Sequence, residues 1–228
     1  MPLTYFPGGS NRRIPFILRK MRENTTIKII VGFLAILAIV VSIYARFTPL
    51  FPADLYLTLH LQSFDNHFLL SVMKWVSFIF SGWSSVLVVI TIGILVWWRI
   101  GRLEAILIPT GGLLTLANTA LKLAINRPRP SAELIQVLSS EQDNTFPSGH
   151  AFFAIVILGL LAYFIFINLK NHTLRLLALV GLIALILLIG TSRVYLGAHW
   201  PSDVIGGYII GGVLLTVLIW FHRAWKVH

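Results

Sequence analysis

Three separate stretches of the sequence carry polar residues that could bind an anion and move protons. They are KLAINRPRP at residues 122–130, PSGH at residues 147–150 and SRVYLGAHWPSD at residues 192–203. Their fixed cations are Lys122, Arg129 and Arg193, which we expect to lack a matching set of carboxylates. Because arginine presents a fork of donors that fits phosphate oxygens and lysine adds a point charge, these residues favour a phosphate-like anion as the ligand.

The PSGH stretch stands directly before a long apolar run. We therefore expect Ser148 and Gly149 to begin a helix whose free backbone N–H groups and positive dipole end attract the same anion. Gly149 would let a ligand approach the backbone closely. The residue types thus predict a phosphate-binding site with the imidazole of His150 beside it.

His199 and Asp203 are four residues apart, a spacing that places both side chains on one face of a helix. In that arrangement the carboxylate could fix the tautomer of the imidazole and stabilise its cation. A neutral, oriented histidine beside a bound phosphate is a candidate nucleophile, and His150 is then a candidate general acid.

Each stretch also has a simpler interpretation. A histidine at the end of an apolar helix more often lies at the membrane surface than in an active site, and lysine or arginine there usually reaches toward lipid headgroups. PSGH and HWPSD could each be a helix cap. Only the convergence of all three stretches on one face of a membrane favours a functional site.

The composition requires a membrane protein. Of the 228 residues, 57% are hydrophobic and 11% charged, whereas a soluble domain carries about a quarter charged residues. There is no cysteine, which excludes disulfides, thiolate metal sites and cysteine nucleophiles. The net charge of +10 does not indicate nucleic acid, because the basic residues lie in short loops and one tail.

The apolar runs predict an all-α, polytopic bundle of six transmembrane helices. A span needs about 20 apolar residues, and such runs occur at residues 29–47, 83–98, 104–121, 150–169, 176–190 and 204–221. Residues 67–80 carry Lys74 at their centre, which costs about 2.5–3.5 kcal/mol at mid-bilayer, so we expect an interfacial helix on the outer side instead. Residues 54–64 predict a short surface helix. We expect residues 1–28 to form a basic cytoplasmic tail and residues 29–228 a single six-span domain.

The charges of the loops predict the orientation of these spans. With both termini in the cytoplasm, twelve of the eighteen basic residues and two of the eight acidic residues lie inside, so the whole net charge of +10 lies on that side. The twelve are Arg12, Arg13, Arg19, Lys20, Arg22, Lys28, Arg99, Arg102, Lys170, Arg175, Arg223 and Lys226. The three polar stretches then meet on the extracytoplasmic face.

In the last span, Gly207 and Gly211 predict close packing against a neighbouring helix.

With these residues in view, the sequence resembles the type 2 phosphatidic acid phosphatase family of membrane enzymes. The family's three signatures are present in order, as Lys122 to Pro130, Pro147 to His150 and Ser192 to Asp203. The resemblance implies a six-helix membrane bundle in which His199 attacks phosphorus and forms a phosphohistidine, Asp203 holds and polarises His199, and His150 protonates the leaving oxygen. It further implies that Lys122, Arg129, Ser148, Gly149 and Arg193 hold the phosphoryl oxygens. Arg127 lies outside the pattern and is expected to add only charge.

The resemblance implies an integral membrane lipid phosphatase in the cell membrane, with no cofactor. No metal is expected, because the signatures contain one carboxylate, too few for a two-metal site. The expected partners are the bilayer and a lipid phosphate or diphosphate such as undecaprenyl diphosphate, phosphatidylglycerophosphate or phosphatidic acid. Two alternatives remain open: a transporter or binding protein for a phosphorylated lipid that does not hydrolyse it, and a membrane scaffold.

Overall fold

The computed structural model describes residues 16–139 and 141–226, and describes side chains from residue 25 onward. Within these ranges the chain forms nine α-helices. They are α1 (Phe16–Phe47), α2 (Asp54–Gln62), α3 (His67–Ile79), α4 (Gly82–Arg99), α5 (Arg102–Leu114), α6 (Ala117–Ile125), α7 (Gly149–Asn168), α8 (His172–Tyr195) and α9 (Pro201–Trp225).

The predicted six-span, all-α architecture is confirmed. Six stretches are long and apolar enough to cross a membrane: Thr25–Phe47, Gly82–Arg99, Arg102–Ile125, Gly149–Asn168, His172–Tyr195 and Pro201–Trp225. The third span consists of α5 and α6, because the helix is interrupted at Thr115 and Leu116. Several spans are longer than the sequence predicted, most clearly α8, which continues through Arg193 to Tyr195. The apolar run ends before these polar residues, but the helix does not.

Helix α7 is the centre of the bundle. Half of its most apolar window is buried, a larger share than in any of the other five candidate spans among the described residues. Its buried residues, among them Val156, Leu160 and Phe164, belong to the main hydrophobic core with Ile108 of α5 and Ile189 of α8. A helix that is apolar all round is expected to be buried in this way, since it has no face suited to water.

Two glycines let α9 approach α7 closely. A Cβ on Gly207 would lie 2.7 Å from the backbone oxygen of Ser148, and one on Gly211 would lie 3.0 Å from that of Phe152. The packing role predicted for this glycine pair is therefore confirmed. The close approach matters for the site, because it brings the beginning of α9 next to the beginning of α7.

The two short helices after α1 lie at one end of the bundle. Helix α3 packs against α8, as expected of an interfacial segment that does not cross. Helix α2 was predicted to be a surface helix, but Asp54, Thr58 and Gln62 form a buried face. Residues 1–15 of the predicted tail lie outside the described residues, and residues 16–28 belong to α1.

Candidate active site

The polar stretches meet at one end of the bundle, which we call the site end: the end of α6, the beginning of α7, the end of α8 and the beginning of α9. The backbone N–H of Ser148 donates to the backbone oxygen of Asp203 at 3.0 Å, which ties the beginnings of α7 and α9 together. The end of α8 joins them because the backbone N–H of His199 donates to the backbone oxygen of Arg193 at 3.3 Å. The predicted convergence of distant segments is thus present in the structure.

The three predicted phosphate-binding cations lie together at the site end, but they are paired. Lys122 Nζ lies 2.5 Å from Asp143, Arg129 contacts both Glu141 and Asp143, and Arg193 contacts Glu141. The expectation that these cations lack matching carboxylates is wrong. Glu141 and Asp143 belong to the loop between α6 and α7, and nothing in their spacing from the basic residues showed that the loop folds back over them.

These carboxylates are held in their ionised form. Burial raises the pKa of Glu141, but the positive charge of Arg193, together with those of Arg129 and Lys122, outweighs burial and leaves the pKa below its ordinary value. Burial also raises the pKa of Asp143, whereas its bonds with Lys122 and Arg129 bring the pKa below its ordinary value. The loop therefore presents two anions to the cation cluster at neutral pH.

His199 is fully buried at the turn between α8 and α9. This turn needs glycine at residue 197, where φ is +68° and a Cβ would collide with the backbone of Gln136. The Nε2 atom of His199 is buried and has no hydrogen-bond partner among the described residues. Desolvation by burial, reinforced by the positive charges of Arg193 and Arg129, holds the pKa of His199 well below its usual range, so that the imidazole is neutral at pH 7.

The predicted contact between Asp203 and His199 is indirect. Their nearest side-chain atoms, Oδ2 and Nδ1, are 3.7 Å apart, which is too far for a hydrogen bond. The hydroxyl of Thr145 lies between them, donating to Asp203 Oδ2 at 2.6 Å and lying 3.1 Å from His199 Nδ1. Asp203 also accepts from the backbone N–H of Trp200 at 2.8 Å and from Arg127 at 2.5 Å. Sequence reasoning missed Thr145, three residues before Ser148.

Arg127 was expected to add only charge, and that expectation is wrong. Its side chain is fully buried and bridges Asp203 to Asp54, which lies 2.8 Å away at the beginning of α2. Asp54 also accepts from the backbone N–H and the hydroxyl of Ser202, and the guanidinium lies over the ring of Phe51. Arg127 therefore joins α2 and α9 behind the site and is not available to a ligand.

His150 opens α7 at the site end and contacts α3. Its Nε2 atom lies 3.2 Å from the backbone oxygen of Ser77, while the hydroxyl of Ser77 accepts from Arg193. Helix α3 therefore contributes to the site through Ser77, which no motif in the sequence indicated. Ser148 precedes α7, and its hydroxyl is buried without a partner among the described residues, as expected of a group that faces a ligand. Gly149 lies beside Asn118 of α6, whose amide nitrogen a Cβ would approach to 3.3 Å.

Within residues 16–139 and 141–226, no three His, Asp or Glu side chains form a group that could hold a metal ion. The carboxylates near His199 are each bound to lysine or arginine. Such a donor set suits an anionic ligand better than a divalent cation.

Residues 103–226 match the PAP2 superfamily. The chain is 36% identical over 114 residues to phosphatidylglycerophosphatase B of Bacillus subtilis, covering 49% of this chain and 54% of that protein. It is 34% identical over 104 residues to the putative undecaprenyl-diphosphatase YbjG of Escherichia coli, covering 44% of this chain and 48% of that protein. The chain therefore spans about half of the length of these relatives.

Two solved structures share the fold. One is a transmembrane PAP2-type phosphatidylglycerolphosphate phosphatase from Bacillus subtilis, with a TM-score of 0.74 and 23% identity over 85% of this chain and 96% of that chain. The other is LpxE of Aquifex aeolicus, with a TM-score of 0.56 and 23% identity over 74% of this chain and 94% of that chain. At this level of identity the likeness concerns the fold alone.

Proposed function

Because this multi-pass membrane chain belongs to the PAP2 superfamily, we propose that it hydrolyses a phosphate or diphosphate ester of a membrane lipid. The observation that carries this proposal is the Nε2 atom of His199, which is buried and unpartnered among the described residues, in a ring whose pKa the charges of Arg193, Arg129 and Lys122 help to lower. A neutral imidazole with a free ring nitrogen is a nucleophile, and a phosphoryl group is the electrophile that neighbouring lysine and arginine side chains would hold against it.

In the proposed reaction, His199 Nε2 forms a bond to the terminal phosphorus while the bond from that phosphorus to its leaving oxygen breaks. The leaving oxygen is the lipid alcohol oxygen in a monoester and the bridging oxygen in a diphosphate. Lys122, Arg129 and Arg193 bind the non-bridging oxygens, and the hydroxyl of Ser148 and the first N–H groups of α7 add further donors. Electrostatic stabilisation of this kind is usually the largest single contribution to phosphoryl transfer. Water then attacks phosphorus, the nitrogen–phosphorus bond breaks and inorganic phosphate leaves.

His150 is assigned the role of general acid to the leaving lipid oxygen. It stands at the beginning of α7 beside Ser148, and through Ser77 it is linked to Arg193. Substrate must also displace Glu141 and Asp143 from the cations. Since their side chains are 30% and 54% exposed, the two carboxylates can move into water when phosphate takes their place.

We propose that the reaction needs no metal ion. The three cations supply the positive charge that a divalent metal would otherwise contribute, and the nearby carboxylates are occupied by those cations or by Arg127. The proposed substrate is a lipid carrying a terminal phosphate or diphosphate, such as phosphatidylglycerophosphate, undecaprenyl diphosphate or phosphatidic acid. The first two correspond to the named activities of the relatives.

We propose that the site end faces the extracytoplasmic side and that both termini, including the basic tail of residues 1–28, lie in the cytoplasm. The distribution of basic residues supports this orientation. Since the chain has no cysteine, single cysteines can test it: Asp65→Cys reports on the site end and His172→Cys on the opposite end, and both positions are exposed. In intact cells, a membrane-impermeant maleimide should label only the first, and labelling of only the second would reverse the orientation.

The activity is tested with purified protein and a panel of lipid phosphates and diphosphates. Release of inorganic phosphate should be unaffected by a chelator and inhibited by vanadate, and His199→Ala should abolish it. His172→Ala, at an exposed position of the opposite end, is the matched control and should remain active. Rapid quenching in alkaline detergent, which preserves the acid-labile nitrogen–phosphorus bond, should trap a phosphoenzyme in the wild type and none in His199→Ala. If the protein binds a lipid phosphate saturably but releases inorganic phosphate from no member of the panel, transport or binding is favoured instead.

A further inference from the structure

Thr145 lies between the first two sequence signatures and belongs to neither of them, although it is within the residues that match the PAP2 superfamily. Its hydroxyl is the only side-chain group described between Asp203 and His199, and it contacts both within hydrogen-bond distance. The residue is fully buried, and its backbone N–H donates to the backbone oxygen of Arg127 at 3.0 Å. The hydroxyl is thus held in place by its own backbone and by its two side-chain partners.

The number of available protons fixes the direction of these hydrogen bonds. Asp203 receives a guanidinium N–H from Arg127, an amide N–H from Trp200 and the bond from Thr145, which is the pattern of an ionised carboxylate that only accepts. A hydroxyl has a single proton, and Thr145 gives it to Asp203. The oxygen of Thr145 can then only accept from His199, so Nδ1 of His199 must carry the ring proton.

We propose that Thr145 is a positioning residue that sets the tautomer of His199 and transmits the charge of Asp203 to it. With the proton held at Nδ1, the lone pair of the neutral ring is left on Nε2, the buried atom that has no partner among the described residues. When Nε2 bonds to phosphorus, the ring becomes positively charged. The Nδ1–H then bonds more strongly to Thr145, whose own bond to Asp203 stabilises that charge without transferring a proton.

This inference rests on the proposed function, in which His199 is the nucleophile. A relay through Thr145 and a direct Asp203–His199 hydrogen bond differ in whether the reaction depends on the hydroxyl of Thr145. If the two side chains bonded directly, the hydroxyl would be dispensable. At a separation of 3.7 Å they do not, so loss of the hydroxyl disconnects Asp203 from the ring.

Two variants separate the hydroxyl from the packing of the side chain. Thr145→Val keeps the shape and removes the hydroxyl, whereas Thr145→Ser keeps the hydroxyl and removes the methyl group. Thr216→Val is the matched control, because the hydroxyl of Thr216 donates to a carbonyl of its own helix. We expect Thr145→Val to lower kcat and the rate of phosphoenzyme formation by about 10- to 100-fold with little change in KM, the effect typical of groups that orient a reacting side chain. Thr145→Ser should stay within about threefold of the wild type, as should Thr216→Val.

A spectroscopic readout keeps this inference distinct from the proposed function. In protein labelled with ¹⁵N-histidine, the ring signals of His199, assigned by comparison with His199→Ala, should show the proton on Nδ1 in the wild type and in Thr145→Ser, and a mixture of tautomers in Thr145→Val. A proton on Nε2 in the wild type would overturn the inference even if the protein is a phosphatase. So would wild-type kcat in Thr145→Val, or equal loss in folded Thr145→Ser and Thr145→Val. Conversely, the expected tautomer in a protein that releases no phosphate would support the arrangement and reject the proposed function.

Discussion

Replacement of Arg127 by methionine should destabilise the protein more than any single substitution of an exposed charge. Methionine fills much of the same space but leaves Asp203 and Asp54 as buried carboxylates without their cation; their side chains are 0% and 2% exposed. Removing one partner of a buried ion pair costs about 3–5 kcal/mol, because the remaining charge stays desolvated. Each carboxylate keeps hydrogen bonds, Asp203 with Thr145 and Asp54 with Ser202. We therefore expect a cost within that range and not twice as large.

The measurement is thermal unfolding of detergent-solubilised protein, followed by the fluorescence of its seven tryptophans. For a chain of this size, about 3–5 kcal/mol corresponds to a fall in Tm of about 6–20 °C. The matched control is Arg46→Met, which removes the same type of charge at an exposed position at the end of α1 and should leave Tm within about 2 °C.

A double variant identifies the cause of the destabilisation. Asp54→Asn removes one of the two carboxylates, so Arg127→Met should cost less in that background, by about 0.5–3 kcal/mol. If Arg127→Met unfolds at the same temperature as Arg46→Met, the charge of Arg127 does not stabilise the fold and the reasoning fails. If the two substitutions are strictly additive, the destabilisation comes from packing against Phe51 and not from charge.

Three further outcomes are expected. The acid limb of the pH profile of kcat/KM should lie below pH 6.5, because the lowered pKa of His199 keeps its ring neutral to lower pH. An acid limb above pH 6.5 that is due to His199 would contradict the effect of burial on this pKa. Asp143→Asn should tighten inhibition by vanadate by about two- to tenfold, because it removes a half-exposed anion that competes for Lys122 and Arg129. The control Asp65→Asn, in an exposed loop, should leave inhibition by vanadate unchanged. Gly211→Val should lower Tm by several degrees because its side chain would meet α7, whereas Gly181→Val, with open space around it, should be close to neutral in the same unfolding assay.

The spans and the members of the site could be predicted because each depends on local sequence. A run of about 20 apolar residues specifies a helix in a membrane whatever its neighbours are, and the convergence of charged residues from the ends of several runs on one face indicates a site. The alternation of inward and outward spans then placed Lys122, His150 and Arg193 at the same end. The interruption of the third span and the extension of α8 were missed, because hydropathy reports apolar length and not where a helix ends.

The contacts that Arg127 and Thr145 make behind His199 could not be predicted, because each contact joins residues that are distant in sequence. Arg127 and Asp54 are 73 residues apart, and Thr145 and Asp203 are 58 apart. One signal was nevertheless available in α2. Asp54, Thr58 and Gln62 recur every four residues in a helix with leucine at each odd-numbered position, and such a polar stripe indicates a face that meets polar groups. That stripe could have identified Asp54 as a residue with a polar partner, but not which residue the partner is.

The cations of the site end fall into two groups that differ in what holds them. Arg127 lies between two carboxylates that are themselves buried on α2 and α9, so its charge is satisfied permanently and serves to fix Asp203. Lys122, Arg129 and Arg193 are paired instead with Glu141 and Asp143 of a loop, whose side chains are partly exposed. Anions held in this second way can be exchanged for a phosphate at small cost, since the loop carboxylates regain water when they leave. Under the proposed function, the division explains how a cluster of buried cations can be stable without a substrate and still bind one. It predicts that neutralising the loop carboxylates strengthens anion binding while neutralising Asp54 weakens the fold.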